Sequence, residues 1–209
     1  MHHDDFAFEP VPGLPERPPE GEEILWQGRP HWWALAKASV AVQWIAGYFV
    51  LLAVWRFLAV MDLLPLDLAI AASVPFLFLG AICCGLLILF SVLHARSTVY
   101  TITNRRVAMR IGAALTLTLN LPYTRIQSAD LDLRRDGTGT IALTLEEGAM
   151  QFSYLLCWPH VRPWKFKTQP ALRCIPDAER VAALLAEAAE ARISTPQVAR
   201  ITPNAVPAE

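Results

Sequence analysis

LAIAASVPFLFLGAICCGLLILFSVL, residues 68–93, runs for 26 positions without a charged side chain, and the rest of the chain is read outward from it. As a helix rising about 1.5 Å per residue it reaches about 39 Å, against about 30 Å for the hydrocarbon of a bilayer. It is expected to cross a membrane and to tilt, bend or project beyond it. A second uncharged run, Ala38 to Trp55, lies upstream between Lys37 and Arg56. Together the runs predict a two-helix transmembrane hairpin over residues 31–95, with spans at about 34–57 and 69–94. Composition agrees: 54% of the chain is hydrophobic and its mean hydropathy is +0.34, too apolar for an ordinary soluble domain of 209 residues. The first apolar run begins beyond residue 30 with no small-residue cleavage site after it, so both spans are expected in the mature protein.

The net charge of −1 conceals an uneven distribution. Residues 1–37 carry three basic and seven acidic side chains, whereas residues 96–209 carry fourteen and ten. No acid occurs between Leu68 and Ala129, while Arg96, Arg105, Arg106, Arg110 and Arg125 follow the second span. By the positive-inside rule that flank is cytoplasmic, and with two spans the N-terminus is too. The connecting loop, with Arg56 against Asp62 and Asp67, is then periplasmic. The expected location is a bacterial inner membrane, cytoplasmic or intracytoplasmic, crossed twice. Cys83 and Cys84 lie within a span and Cys157 and Cys174 on the reducing side, so free thiols are expected rather than disulfides. Neither span contains a charge or a mid-membrane His, which argues against a proton path, an ion channel or ligation of a pigment metal inside the bilayer. His94, at the end of the second span, is the one candidate axial ligand there; a lone His at a helix end reads first as an interfacial polar residue. Gly80 and Gly85 read as points of close helix packing.

Residues 1–30 are acidic and proline-rich and are expected to be extended. After Ser97 the apolar period changes from helical to two. Val107, Met109 and Ile111 alternate with Ala108 and Arg110, and Leu115 to Leu121, Ala129 to Leu133 and Ile141 to Leu145 alternate likewise. Thr103-Asn104, Gly112, Pro122 and Asp136-Gly137 supply the turns between them. These are the marks of an antiparallel, hairpin-connected sheet. Pro176-Asp177-Ala178-Glu179 then opens a helix in which Val181, Leu184, Leu185 and Ala188 form an apolar stripe. A loose tail is expected over 193–209. The predicted fold class is membrane α plus β: a transmembrane hairpin, then a cytoplasmic antiparallel β-barrel or sandwich over 96–192, closed by a C-terminal helix.

Short strands closed by one helix directly behind a membrane hairpin resemble the bacterial pleckstrin-homology (PH) domain. Tyr100 to Val107 (YTITNRRV) is similar to that family's first hairpin, and Pro122 to Ile126 (PYTRI) to a later segment. The opening stretch to Pro30, the Trp32-Trp33 entry to the first span, the block Trp158 to Phe166 (WPHVRPWKF) and Pro170 to Arg173 (PALR) resemble the PuhB family, photosynthetic-complex assembly proteins of purple bacteria and their relatives. That resemblance covers nearly the whole length. It implies a non-catalytic assembly factor for the reaction centre and its core light-harvesting (RC-LH1) complex. Its partners would be reaction-centre and core light-harvesting subunits or other assembly factors. The alternative is a generic membrane-anchored bacterial PH-domain protein sensing lipid or envelope state.

Within the acid-free segment 148–176, Trp158, His160, Arg162, Trp164, Lys165, Lys167 and Arg173 are candidate partner contacts, since aromatic and Arg anchors suit a protein interface or an anionic surface. The bland alternative is an insertion packed on the sheet with its cations solvated. Trp32, Trp33, Lys37, Arg96, Arg105 and Arg106 are candidate membrane-surface residues facing anionic lipid. Nucleic acid is not an expected partner, because a membrane-tethered domain with so small an excess of base offers little to phosphate backbones. A homodimer is compatible with the sequence. No cofactor or metal is expected. Cys157 and His160 are close in sequence, but no third group to orient them is evident, and no motif of a known catalytic class occurs.

Overall fold

The computed structural model describes residues 11–112, 116–146, 157–162 and 168–194. Its first element lies within the segment read as extended from composition. Ile24–Gly28 is a strand, β1, pairing antiparallel with β2, Val99–Thr103, so that Gly28 faces Tyr100. β3 (Arg106–Ile111) and β4 (Leu117–Pro122) complete a sheet of order β1-β2-β3-β4. A 3-10 turn, Tyr123–Arg125, leads to a second antiparallel sheet of β5 (Ile126–Leu133), β6 (Gly139–Leu145) and β7 (Ala171–Ile175). Among the described residues no strand pairs across the two sheets, so the domain is two packed sheets and not a closed barrel. β7 is the end of the stretch read as a tryptophan-rich and basic insertion, which therefore stops before Ala171.

The turns form where their chemistry predicts. Thr103 Oγ1 accepts the Arg105 and Arg106 amides at 3.1 Å each, closing β2 onto β3. Asp136 Oδ1 accepts from the Thr138 amide and hydroxyl, and Gly137 takes the positive φ of 78° that completes the β5–β6 turn. One core joins the sheets to the closing helix, with Tyr100, Ile102, Met109, Leu119, Leu121, Ile141, Leu143, Leu172 and Ile175 packed against Val181 and Leu185. The polar alternates of β2 and β3 are buried too, which the period of two does not foretell. Leu14 is buried, Gly13 lies against Val99, and Arg110 donates to the Ser97 carbonyl at 3.5 Å. The N-terminal segment and the end of the long helix thus cover the sheet's second face.

Between β1 and β2 the chain makes its helical excursion: α1 (Trp32–Ser39), α2 (Val42–Val60) and α3 (Leu66–Ser97). The first predicted span is therefore interrupted. Ala41 sits at φ 51°, a left-handed conformation that breaks the helix and costs an alanine about 1 kcal/mol. α2 and α3 pack side by side, with the Cys84 thiol reaching the Val42 carbonyl and Gly80 set against Phe49. A Cβ on Gly80 would lie 2.6 Å from the Phe49 Cβ, so the close packing expected there is present, whereas Gly85 faces open space and packs against none of the described residues. The windows of both helices are only 11% buried. α4, Ala178–Ser194, ends the described chain; Asp177 precedes it at φ 49°, its carbonyl accepting the Val181 amide.

Candidate membrane-proximal site

Three attachments fix α1 to the β-domain. The His31 amide donates to the Cys174 carbonyl at 2.7 Å, while its Nδ1 accepts the Ala34 amide and caps α1. Lys37 pairs with Asp136 of the β5–β6 turn at 3.6 Å. Arg173, on β7, donates to the Ala38 carbonyl at 3.0 Å, a helix-end acceptor with no partner inside α1, and to the Pro159 and Val161 carbonyls.

Beneath these lies a buried polar chain. The Tyr100 hydroxyl accepts the Arg173 amide at 3.3 Å and stands 2.5 Å from His160 Nδ1, while Nε2 of the same ring is 3.1 Å from Thr98 Oγ1. Burial, helped by the charges of His94 and Arg173, pushes the His160 pKa down to about 3. The ring is therefore neutral. Burial also holds the Tyr100 hydroxyl protonated, against an opposing hydrogen bond from Arg173. The neutral ring joins the two hydroxyls in either tautomer: Tyr100 donates to Nδ1 while Nε2–H donates to Thr98, or Nδ1–H donates to Tyr100 while Thr98 donates to Nε2. Beside this chain, the Trp158 and Phe90 rings stack at 5.6 Å, Phe90 meets His94 at 4.2 Å, and His94 lies 6.1 Å from His160. His94 is thus half-buried, flanked by the Phe90 and His160 rings.

His160 and Arg173 are consequently no partner contacts: both are interior, occupied in binding the hairpin to the domain. Trp158 is partly buried against Phe90 and the core. Arg162 remains at the surface, paired with Asp130. Trp164, Lys165 and Lys167 lie outside the described residues. Among the membrane-surface candidates, Trp32, Trp33 and Arg96 are exposed at the α1–α3 end, and Lys37 is half-exposed in its ion pair. Arg105 and Arg106 are not placed there. At about 3.3 Å per residue, β2 carries them on the order of 15–20 Å from the last turn of α3. At that turn Arg105 donates to the Glu20 carbonyl, and Arg106 pairs at 2.8 Å with Glu22, whose side chain is covered.

Arg29, read from sequence only as a cytoplasmic-side cation, is not among the membrane-surface candidates. It lines a cleft with His31, Trp32, Val92, Ala95 and Arg96, and the missing signal was the β1–β2 pairing that brings residues 29 and 96 together. The suspected Cys157–His160 pair is buried, and burial pushes the thiol up while the imidazole is pushed down, the reverse of an activated pair. No group of three or more potential metal-ligating His, Cys, Asp or Glu side chains occurs among the described residues.

No solved structure matches this chain. A Rhodobacter capsulatus protein, described as an uncharacterized 23.7 kDa protein in the puhA 5' region, is 46% identical over 201 residues, covering 95% of this chain and 94% of the relative. The likeness therefore extends through the hairpin and the N-terminal strand as well as the sheets. Residues 34–189, from α1 through both apolar helices and both sheets into α4, match the bacterial PH domain family, and the chain belongs to that family.

Proposed function

We propose that this chain is a non-catalytic membrane assembly factor for the photosynthetic reaction centre and its core light-harvesting complex, acting through protein contacts. The observation that carries this reading is the full-length relative encoded in the 5' region of puhA, a photosynthesis-related locus. The apolar helices supply the membrane part of the argument. A core helix of a soluble protein would be mostly covered, whereas only 11% of the spanning window of each of α2 and α3 is buried. Lipid is the solvent in which such faces are stable.

Topology supports both termini on one side. Because β1 and β2 are antiparallel neighbours, the chain leaves and re-enters the same end of one sheet, which allows only an even number of crossings. Arg29, Lys37 and Arg96 cluster at that end, and Asp62 and Asp67 at the opposite one, so the shared side is the cytoplasm of a bacterial inner membrane. The bare faces of α2 and α3 meet reaction-centre helices there, while Arg162, with Trp164, Lys165 and Lys167 as assigned from sequence, meets subunits or other assembly factors in the cytoplasm. Such contacts need no bound cofactor. Anionic lipid is a further contact, and nucleic acid is none.

Deleting the gene lowers the yield of assembled core complex and leaves pigment synthesis intact; unchanged complex levels defeat the proposal. Pull-down from solubilised membranes then separates it from a generic lipid- or envelope-sensing PH-domain protein, since only an assembly factor brings reaction-centre subunits into the eluate.

A further inference from the structure

The cleft between the start of α1 and the end of α3, about 500 Å³, is built unlike the rest of the surface. Arg29 and Arg96, 67 residues apart in the chain, both line it because β1 and β2 bring the two ends of the helical excursion together. Among the described residues that line it, none is acidic. Its rim is fixed, since the His31 amide is bound to the Cys174 carbonyl and the His31 ring caps α1 and stacks on Trp32. The floor is apolar, formed by Trp32, Val92 and Ala95. Leu89 and Leu93, each three residues before Val92 and Arg96 respectively, continue this face along α3 and are about half exposed. A cationic mouth opening onto an apolar wall that runs into a spanning helix fits a ligand with an anionic head and a hydrocarbon tail. Guanidinium forks bind phosphate oxygens bidentately, and tryptophan suits the level of the glycerol backbone.

We infer that this cleft seats the phosphodiester headgroup of an anionic phospholipid, with its acyl chains lying along Leu89 and Leu93. The inference rests on the membrane reading above. It assigns Arg29 and Arg96 as the phosphate ligands, at the opposite end of β2 from the Arg105–Arg106 turn.

The test uses the full chain in nanodiscs of phosphatidylcholine with a minor fraction of phosphatidylglycerol, released for native mass spectrometry. The wild type retains phosphatidylglycerol in preference to phosphatidylcholine. R29Q and R96Q each weaken retention about fivefold and the double variant about thirtyfold. R29K/R96K recovers much of the loss, and R56Q, at the far end of the hairpin, matches the wild type. Equal retention of the two lipids, or a double variant that still selects phosphatidylglycerol, overturns the inference. Displacement by millimolar inorganic phosphate overturns the lipid as the source of the bound phosphate. Circular dichroism of each variant confirms that a loss is not unfolding. A chain that never enters the nanodisc contradicts the membrane reading instead, so the two failures are distinguishable.

Discussion

Leu143 and Leu86 are chemically identical, yet Leu143 is wholly buried between the sheets and Leu86 is 62% exposed on α3. The β-domain puts Leu119, Leu121, Leu143 and Leu172 under cover of its sheets and α4, while the hairpin leaves Leu51, Leu58, Leu79, Leu86 and Leu89 bare over about half their surface or more. On the membrane reading, the difference comes from two solvents acting on one chain. Water drives the domain's core together at roughly 25 cal/mol per Å² of apolar surface, a term that does not operate between helices already in hydrocarbon. The junction of Tyr100, His160, Arg173 and Ala38 lies where the two regimes meet, which accounts for its dense hydrogen bonding.

The comparison breaks most visibly under truncation. Leu143→Ala should destabilise the full chain in detergent by about 2–5 kcal/mol in denaturant unfolding, whereas Leu86→Ala should shift it by less than about 0.5 kcal/mol. Equal losses would mean that α3 has a protein core around it. Reversing the substituent tests the other solvent. Leu79→Arg, near the middle of α3, should cost about 3 kcal/mol of insertion, read as a fall in the fraction of chain that floats with membranes, and leave the sheets intact.

A smaller effect sharpens the account of the junction. His160 has a folded pKa of about 3 against an ordinary value of 6.5, so below pH 6.5 the unfolded chain takes up a proton that the native ring refuses. Stability therefore falls as pH falls between these values, by about 2 kcal/mol from pH 7 to pH 5. Denaturant midpoints measured across that range should show the slope, and His160→Gln should flatten it. The smallest expected change is a gain: Ala41→Gly relieves the left-handed alanine between α1 and α2 and should raise stability by about 1 kcal/mol, measured by thermal unfolding in detergent.

How much of this is legible in the sequence follows from the range of the interactions. The apolar runs, the alternation of β4 and β6, the Asp136-Gly137 turn and the helix after Pro176 are local signals, and each marks an element that forms. β1 is hidden, because ILWQG sits in an acidic, proline-rich context and its partner strand lies beyond the whole hairpin. For the same reason His160 and Arg173 read as surface anchors: Thr98, Tyr100 and Ala38 are 60 to 135 residues away, and no spacing announces them. β5 fails in the opposite sense. Its alternation of Leu131 and Leu133 with Asp130 and Asp132 promises one buried face, but at the sheet's edge both faces are largely exposed. Periodicity reports which face a strand offers, and the number of layers set against it decides what is buried.

The account stands or falls on the hairpin, and impermeant thiol labelling tests that most directly. Cys83 and Cys84 lie within a span and Cys157 and Cys174 are buried, so a new cysteine would be read against a quiet background. Leu63→Cys, in the exposed loop between α2 and α3, should label in intact spheroplasts, and Arg135→Cys, in the β5–β6 turn, only after the membrane is opened. Labelling of Arg135→Cys from outside, or protection of Leu63→Cys until lysis, would contradict it.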